Sequence, residues 1–171
     1  EMSANATFTP PMPIANTLTN LTYSNLTTTT YYRAVVGDGN CPTVFSTVAE
    51  VMVDAPSSAG TVTGASSSCI TTANGGLTLS GQTGTFLRWE RSTNSSFSPL
   101  TTLSPVNPLS YSETSTAFYR AVVQNGVCNA VNGTPVEIRV DQAASGGTVS
   151  GNATVCSGNN NGSLNLTGQF G

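Results

Sequence analysis

Residues 31–41 read YYRAVVGDGNC, and residues 118–128 read FYRAVVQNGVC. The shared core is Arg33-Ala34-Val35-Val36 in one and Arg120-Ala121-Val122-Val123 in the other, closed each time by a turn and a cysteine. An aromatic and β-branched run that ends in Asp-Gly or Asn-Gly reads as a strand entering a hairpin. Its return 87 residues later, from Arg33 to Arg120, makes internal repetition the first property to test.

The spacing holds along the chain. Cys41 and Cys128, Asp54 and Asp141, and Cys69 and Cys156 all stand 87 residues apart. Gly60-Thr61-Val62-Thr63-Gly64 returns as Gly147-Thr148-Val149-Ser150-Gly151, and Leu77-Thr78-Leu79-Ser80-Gly81-Gln82 as Leu164-Asn165-Leu166-Thr167-Gly168-Gln169. Glu1-Met2-Ser3 answers Glu90-Arg91-Ser92 at an offset of 89, and Leu21-Thr22-Tyr23-Ser24 answers Leu109-Ser110-Tyr111-Ser112 at 88. Such drift between fixed segments is how loops vary between strands. The chain therefore divides into the C-terminal part of one repeat (residues 1–55), a complete repeat (56–142) and the N-terminal part of the next (143–171). The expected context is a longer array, of which these residues are one window.

Alternation and turn residues place the strands of the complete repeat. They are expected at 61–64, at 77–80 after a Gly75-Gly76 turn, at 85–91, at 109–112, at 117–124 and at 136–140. Residues 92–108 carry Pro99, Pro105 and Pro108 and leave room for one short edge strand. In the third strand, Leu87 and Trp89 are expected on one face, Arg88 and Glu90 on the other. No segment has a helical period. About seven short strands in about 87 residues match the size of an immunoglobulin-like sandwich. The expected fold is all-β, a tandem of such sandwiches. Trp89 then takes the buried place on the third strand, and Tyr119 the place of a tyrosine corner. Ala121 and Leu79 stand where antibody domains carry their core cysteines, so apolar packing replaces that bridge.

Composition narrows function. The chain has five arginines, no lysine, no histidine, eight carboxylates and a net charge of −3. Nothing here neutralises phosphates, so nucleic acid is not an expected partner. No apolar run approaches the ~18 residues of a membrane span, so no membrane insertion is expected. General acid–base work draws most often on His, Asp, Glu, Lys, Tyr or Cys. Here His and Lys are missing, and the carboxylates are scattered without paired spacing. No enzyme activity, metal or cofactor is expected. Asp54 and Asp141 are linker residues on this reading, since one carboxylate per junction makes a poor calcium site. Arg120 is expected to face outward and pair with Glu90 as an exposed ion pair of about 0–1 kcal/mol.

Two cysteines per repeat point to an oxidising compartment. Cys69 precedes the second strand and Cys128 follows the sixth. These strands run the same way in such a sandwich, which puts the two thiols at opposite ends. The geometry favours bridges between repeats or between chains for Cys41, Cys69, Cys128 and Cys156, with an intradomain bridge and free thiols as the other two states.

The set GTVTG, LTLSGQTG, LRWE, YRAVVQNGVC and TPVEIRV resembles the tandem Ig-like repeats of giant Bacteroidota cell-surface proteins, of the gliding-motility adhesin and type IX secretion type. That resemblance implies an extracellular, surface-attached protein whose repeats form a stalk or fibre for attachment, gliding or capture of other cells. The implied partners are neighbouring repeats, identical chains in a filament, and a surface or cell-envelope ligand bound through another region. Two alternatives remain. One is a glycan- or protein-binding module using Phe8, Phe45 and Phe97 on exposed loops. The other is an ancillary domain of a secreted polysaccharide-degrading enzyme.

Overall fold

The computed structural model describes residues 1–69 and 72–171. Residues 1–55 contain β1 (Met2–Ser3), β2 (Thr30–Tyr32), β3 (Val35–Val36), β4 (Val44–Phe45) and β5 (Ala49–Val51). Residues 56–142 contain β6 (Thr61–Thr63), β7 (Ser67–Ser68), β8 (Ala73–Ser80), β9 (Thr85–Ser92), β10 (Leu100–Leu103), β11 (Leu109–Glu113), β12 (Ala117–Gln124), β13 (Val131–Asn132) and β14 (Val136–Val140). The hairpin of β15 (Ser145–Ser150) and β16 (Asn165–Phe170) follows. Among the described residues no helix is long and apolar enough to cross a membrane.

The middle repeat is a two-sheet, immunoglobulin-like sandwich. One sheet runs β10-β9-β12-β14-β7, with β13 paired to β12; the other runs β11-β8-β6. The burial pattern explains the pairing. β8 turns Ala73, Leu77 and Leu79 inward, and β12 turns Ala117, Tyr119, Ala121 and Val123 inward. These residues join Trp89, Tyr111 and Ile138 in one buried cluster. Burying each large apolar side chain of this kind contributes about 1.5–3 kcal/mol. Trp89 is fully buried, meets Phe86 edge to face at 5.1 Å, and donates its indole N–H to Val106 O at 2.9 Å. Its one polar atom is therefore satisfied, as burial requires.

Three details depart from the sequence pattern. Gly75-Gly76 does not break the second strand but lies within β8. A Cβ on Gly75 would stand 2.4 Å from the Tyr111 hydroxyl, so this glycine makes room for a ring. Strands β7 and β13 lie in Ser- and Asn-rich stretches that carry no alternation. Leu87 does not share the face of Trp89. The register of β9 on β12 shifts from Val122↔Arg88 to Val123↔Phe86. This bulge brings Phe86 onto the core in its place.

The first repeat keeps the same local geometry. Ser3 Oγ donates to Pro10 O, as Ser92 Oγ does to Pro99 O. Arg33 bonds Glu1 as Arg120 bonds Glu90. Tyr23 lies 6.3 Å from Tyr32, and Tyr111 lies 6.2 Å from Tyr119.

Candidate functional site: the junction between repeats

The first repeat meets the second through a short linker and one turn. β12 ends at Gln124, and Asn125-Gly126 reverses the chain toward Cys128. The Asn125 side chain donates to Ala55 O at 2.8 Å, and its backbone N–H donates to Ser57 Oγ at 2.9 Å. The Val127 N–H donates to the Asp54 carboxylate at 3.0 Å. The Cys128 thiol lies 3.4 Å from Ala55 O and 3.7 Å from Asp54 O. Gly126 has φ of 49°, and a Cβ there would fall 1.8 Å from Asp54 Oδ2. Glycine is thus required twice, for the left-handed backbone and for the approach of the carboxylate. Beside this contact is a cleft of about 410 Å³, lined by residues 23–26 and 51–54 with Val127 and Cys128.

Asp54 is therefore more than a linker residue: it caps the turn of the following repeat. Its counterpart Asp141 donates its backbone N–H to Ser68 O at 2.8 Å, and its carboxylate receives Arg139 at 2.8 Å. Among the described residues no cluster of three or more His, Cys, Asp or Glu could hold a metal ion.

The cysteines occupy defined places. Cys69 follows β7, which pairs in parallel with Arg139 and Val140 at the end of β14. Cys128 lies beyond the end of β12, and β12 is antiparallel to β14. The two thiols of one repeat thus lie at opposite ends, separated by roughly 25 Å along an eight-residue strand. A disulfide spans at most about 7 Å between Cα atoms. Cys41, Cys69, Cys128 and Cys156 are all free thiols in this structure.

The charged residues form two ladders across the face of the sheet. Glu90 is buried between Arg120 at 2.7 Å and Arg88 at 2.7 Å. The Arg120–Glu90 pair is therefore not the exposed pair expected. The Phe97 ring covers Arg120, with the guanidinium 4.1 Å from the ring centroid, and shields the pair from solvent. Burial acts to raise the Glu90 pKa, but the bonds from Arg120 and Arg88 outweigh it and hold the carboxyl below its ordinary value. Arg91 grips Glu113 with two bonds, at 2.6 and 2.5 Å. The Tyr119 hydroxyl donates to the same carboxylate. Tyr119 is thus no backbone-bonded tyrosine corner, because an inward-facing glutamate supplies its acceptor. Burial, then the Glu113 carboxylate, push the Tyr119 hydroxyl up to about 12. Arg91 holds Glu113 below its ordinary value, against burial.

The aromatic residues do not make a binding platform. Phe8 and Phe97 are buried, each beneath an arginine, with positive φ in matching turns. Phe45 is exposed and lies against Arg33 at 3.8 Å. The core residues Trp89, Tyr119, Leu79 and Ala121 all fall in the buried cluster. Sequence reasoning missed Glu113 and the clamp by Asn125 and Val127. Glu113 was visible as the third inward position of Leu109-Ser110-Tyr111-Ser112-Glu113. The backbone donor of Val127 leaves no side-chain signal.

A family model described as Domain of unknown function (DUF8696) matches residues 1–55 and again residues 58–142. No curated protein matches the chain. Among solved structures the chain is similar to one described as "Ca2+-stabilized adhesin helps an Antarctic bacterium reach out and bind ice". The identity is 21% and the TM-score 0.38, over 74% of this chain and 35% of that one. The chain thus spans about a third of the length of that solved chain, and a likeness of this strength carries no functional argument.

Proposed function

The chain belongs to the DUF8696 family, and we propose that it serves as a structural repeat module of a secreted, cell-surface adhesin or filament. Its task is mechanical: it spaces and stiffens a stalk or fibre used for attachment, gliding or capture of other cells. The observation that carries this reading is the clamp of Asp54 and Ala55 on the Asn125–Cys128 turn, which joins successive repeats through several bonds rather than a free linker. Repeats that contact their neighbours in series build extended bodies. The reading includes no catalysis, since the buried carboxylates Glu90 and Glu113 are held by arginines in ion pairs. The resemblance to giant Bacteroidota surface proteins supports an extracellular location and export by a type IX route. The partners are neighbouring repeats, identical chains and an envelope ligand bound elsewhere.

Immunogold labelling with an antibody to residues 56–142, on thin sections of cells that make the protein, tests this reading. Label repeating along surface fibres is expected. Label confined to the cell interior overturns it.

A further inference from the structure

The complete repeat carries one thiol toward each of its neighbours. At the junction with the preceding repeat, the Cys128 thiol donates to Ala55 O at 3.4 Å and lies 3.7 Å from Asp54 O. At the other end, Cys69 is exposed and comes directly after Ser68. Ser68 O accepts the backbone N–H of Asp141 at 2.8 Å, one residue beyond the Val140↔Ser68 pair that ends the parallel ladder of β14 on β7. Asp54 and Asp141 hold the same place in successive repeats, 87 residues apart. One aspartate position is therefore approached by both kinds of thiol. Its own repeat brings the Cys69 type, and the next repeat brings the Cys128 type.

The two approaches use the N–H and the C=O of that one aspartate. In extended chain both groups of a residue point to the same side, which is why paired residues in a ladder can exchange both bonds. The two thiols thus come to the same side of one backbone residue. The gap between their carriers is then of the order that a disulfide spans, about 7 Å or less between Cα atoms. We infer that Cys69 forms a disulfide with the residue at the Cys128 position of the following repeat, and Cys128 with the residue at the Cys69 position of the preceding one. A bond between Cys69 and Cys128 of one repeat is excluded by the roughly 25 Å that β12 puts between them. Cys41 and Cys156 take the same two roles one period away.

The bond adds a covalent path beside the linker. The junction is otherwise held by the bonds of Asn125 and Val127 to Ala55 and Asp54. With the disulfide in place, pulling the repeats apart cannot open that contact without stretching a closed covalent loop. The bond forms when one thiolate attacks glutathione disulfide and expels a glutathione thiol, and the partner thiolate then displaces the second. Two thiols lose two protons and two electrons, and one glutathione disulfide becomes two glutathione thiols.

This inference rests on the fibre reading, in which repeats follow one another, and deepens it; surface labelling judges that reading separately. Residues 56–142 hold both sheets of the sandwich and every residue of its buried cluster, so two of them in tandem reproduce one junction. One tandem carries Cys128→Ser in its first repeat and Cys69→Ser in its second, which leaves the inferred pair. A control tandem carries the opposite two changes, and a single repeat keeps both thiols. Each is oxidised with glutathione disulfide and weighed by non-reducing mass spectrometry, with Trp89 fluorescence reporting the fold. The first tandem should lose both free thiols and two hydrogens of mass as a monomer, and the control and the single repeat should not. An unbonded first tandem, or a bond formed equally in the control or within the single repeat, would overturn the inference. The native protein, digested without reduction, gives a second measurement that needs no engineered chain. A Cys128 peptide joined to a peptide of the preceding repeat is expected there, and a free Cys128 or a Cys69–Cys128 link would equally overturn it.

Discussion

The Asp54 carboxylate accepts the backbone N–H of Val127 at 3.0 Å, so the last acidic residue of one repeat caps a turn of the next. A charge-assisted bond of this kind contributes about 1.5–3 kcal/mol when shielded and less where water competes. Asp54→Ala should cost about 1 kcal/mol at the junction. Hydrogen exchange at Val127 should quicken about five-fold, while amides inside β12 keep their protection.

Gly126 makes the same contact possible. Gly126→Ala places a Cβ against Asp54 Oδ2 and onto a backbone with φ of 49°. The single change should destabilise the junction by about 1–3 kcal/mol, mixing clash and strain. In Asp54→Ala/Gly126→Ala the clash disappears and only strain remains. A double-mutant cycle by hydrogen exchange should therefore give a loss smaller than the sum of the two single losses.

Glu90 lies between two guanidiniums on a buried sheet face. Glu90→Gln removes the negative charge and leaves Arg88 and Arg120 facing a neutral amide. Chemical denaturation followed by Trp89 fluorescence should show a loss of about 1–3 kcal/mol. Phe97→Ala uncovers the same pair and empties a buried site, and should cost about 3–5 kcal/mol. A glycan array should show no binding that depends on Phe97.

The pH dependence has two limbs. Glu90 and Glu113 are held below their ordinary value in the folded chain, with burial opposing the bonds from their arginines. Their contribution is complete above the unfolded glutamate pKa of about 4.3 and is lost as pH falls through the lower folded values. Tyr119 is raised, to about 12, by burial and Glu113. Its contribution is complete below the unfolded value of about 10 and is lost as pH rises toward 12. With no histidine in the chain, thermal unfolding should be flat near neutrality and fall on both sides.

The period, the positions of the main strands and the buried Trp89 were legible because each rests on side-chain pattern. The 87-residue spacing located the repeats, and alternation located β8, β9, β11, β12 and β14. The bulge at Leu87 was hidden, since it depends on how β9 pairs with β12 and not on either strand alone. Gly75-Gly76 misled for a similar reason: the glycine answers to a tyrosine 36 residues away, not to a local turn. Phe8 and Phe97 looked like loop aromatics because their arginine covers come from another strand. At the junction, a lone aspartate per repeat gave no motif, because its partners are backbone groups.

The central claim is that successive repeats are joined as one body through Asp54 and the Asn125–Cys128 turn. Residual dipolar couplings measured on β2 and β5 of the first repeat, and on β9 and β12 of the second, test it most directly. A single alignment tensor should fit all four strands, and Asp54→Ala should split it into two. Separate tensors in the unmodified chain would contradict the account.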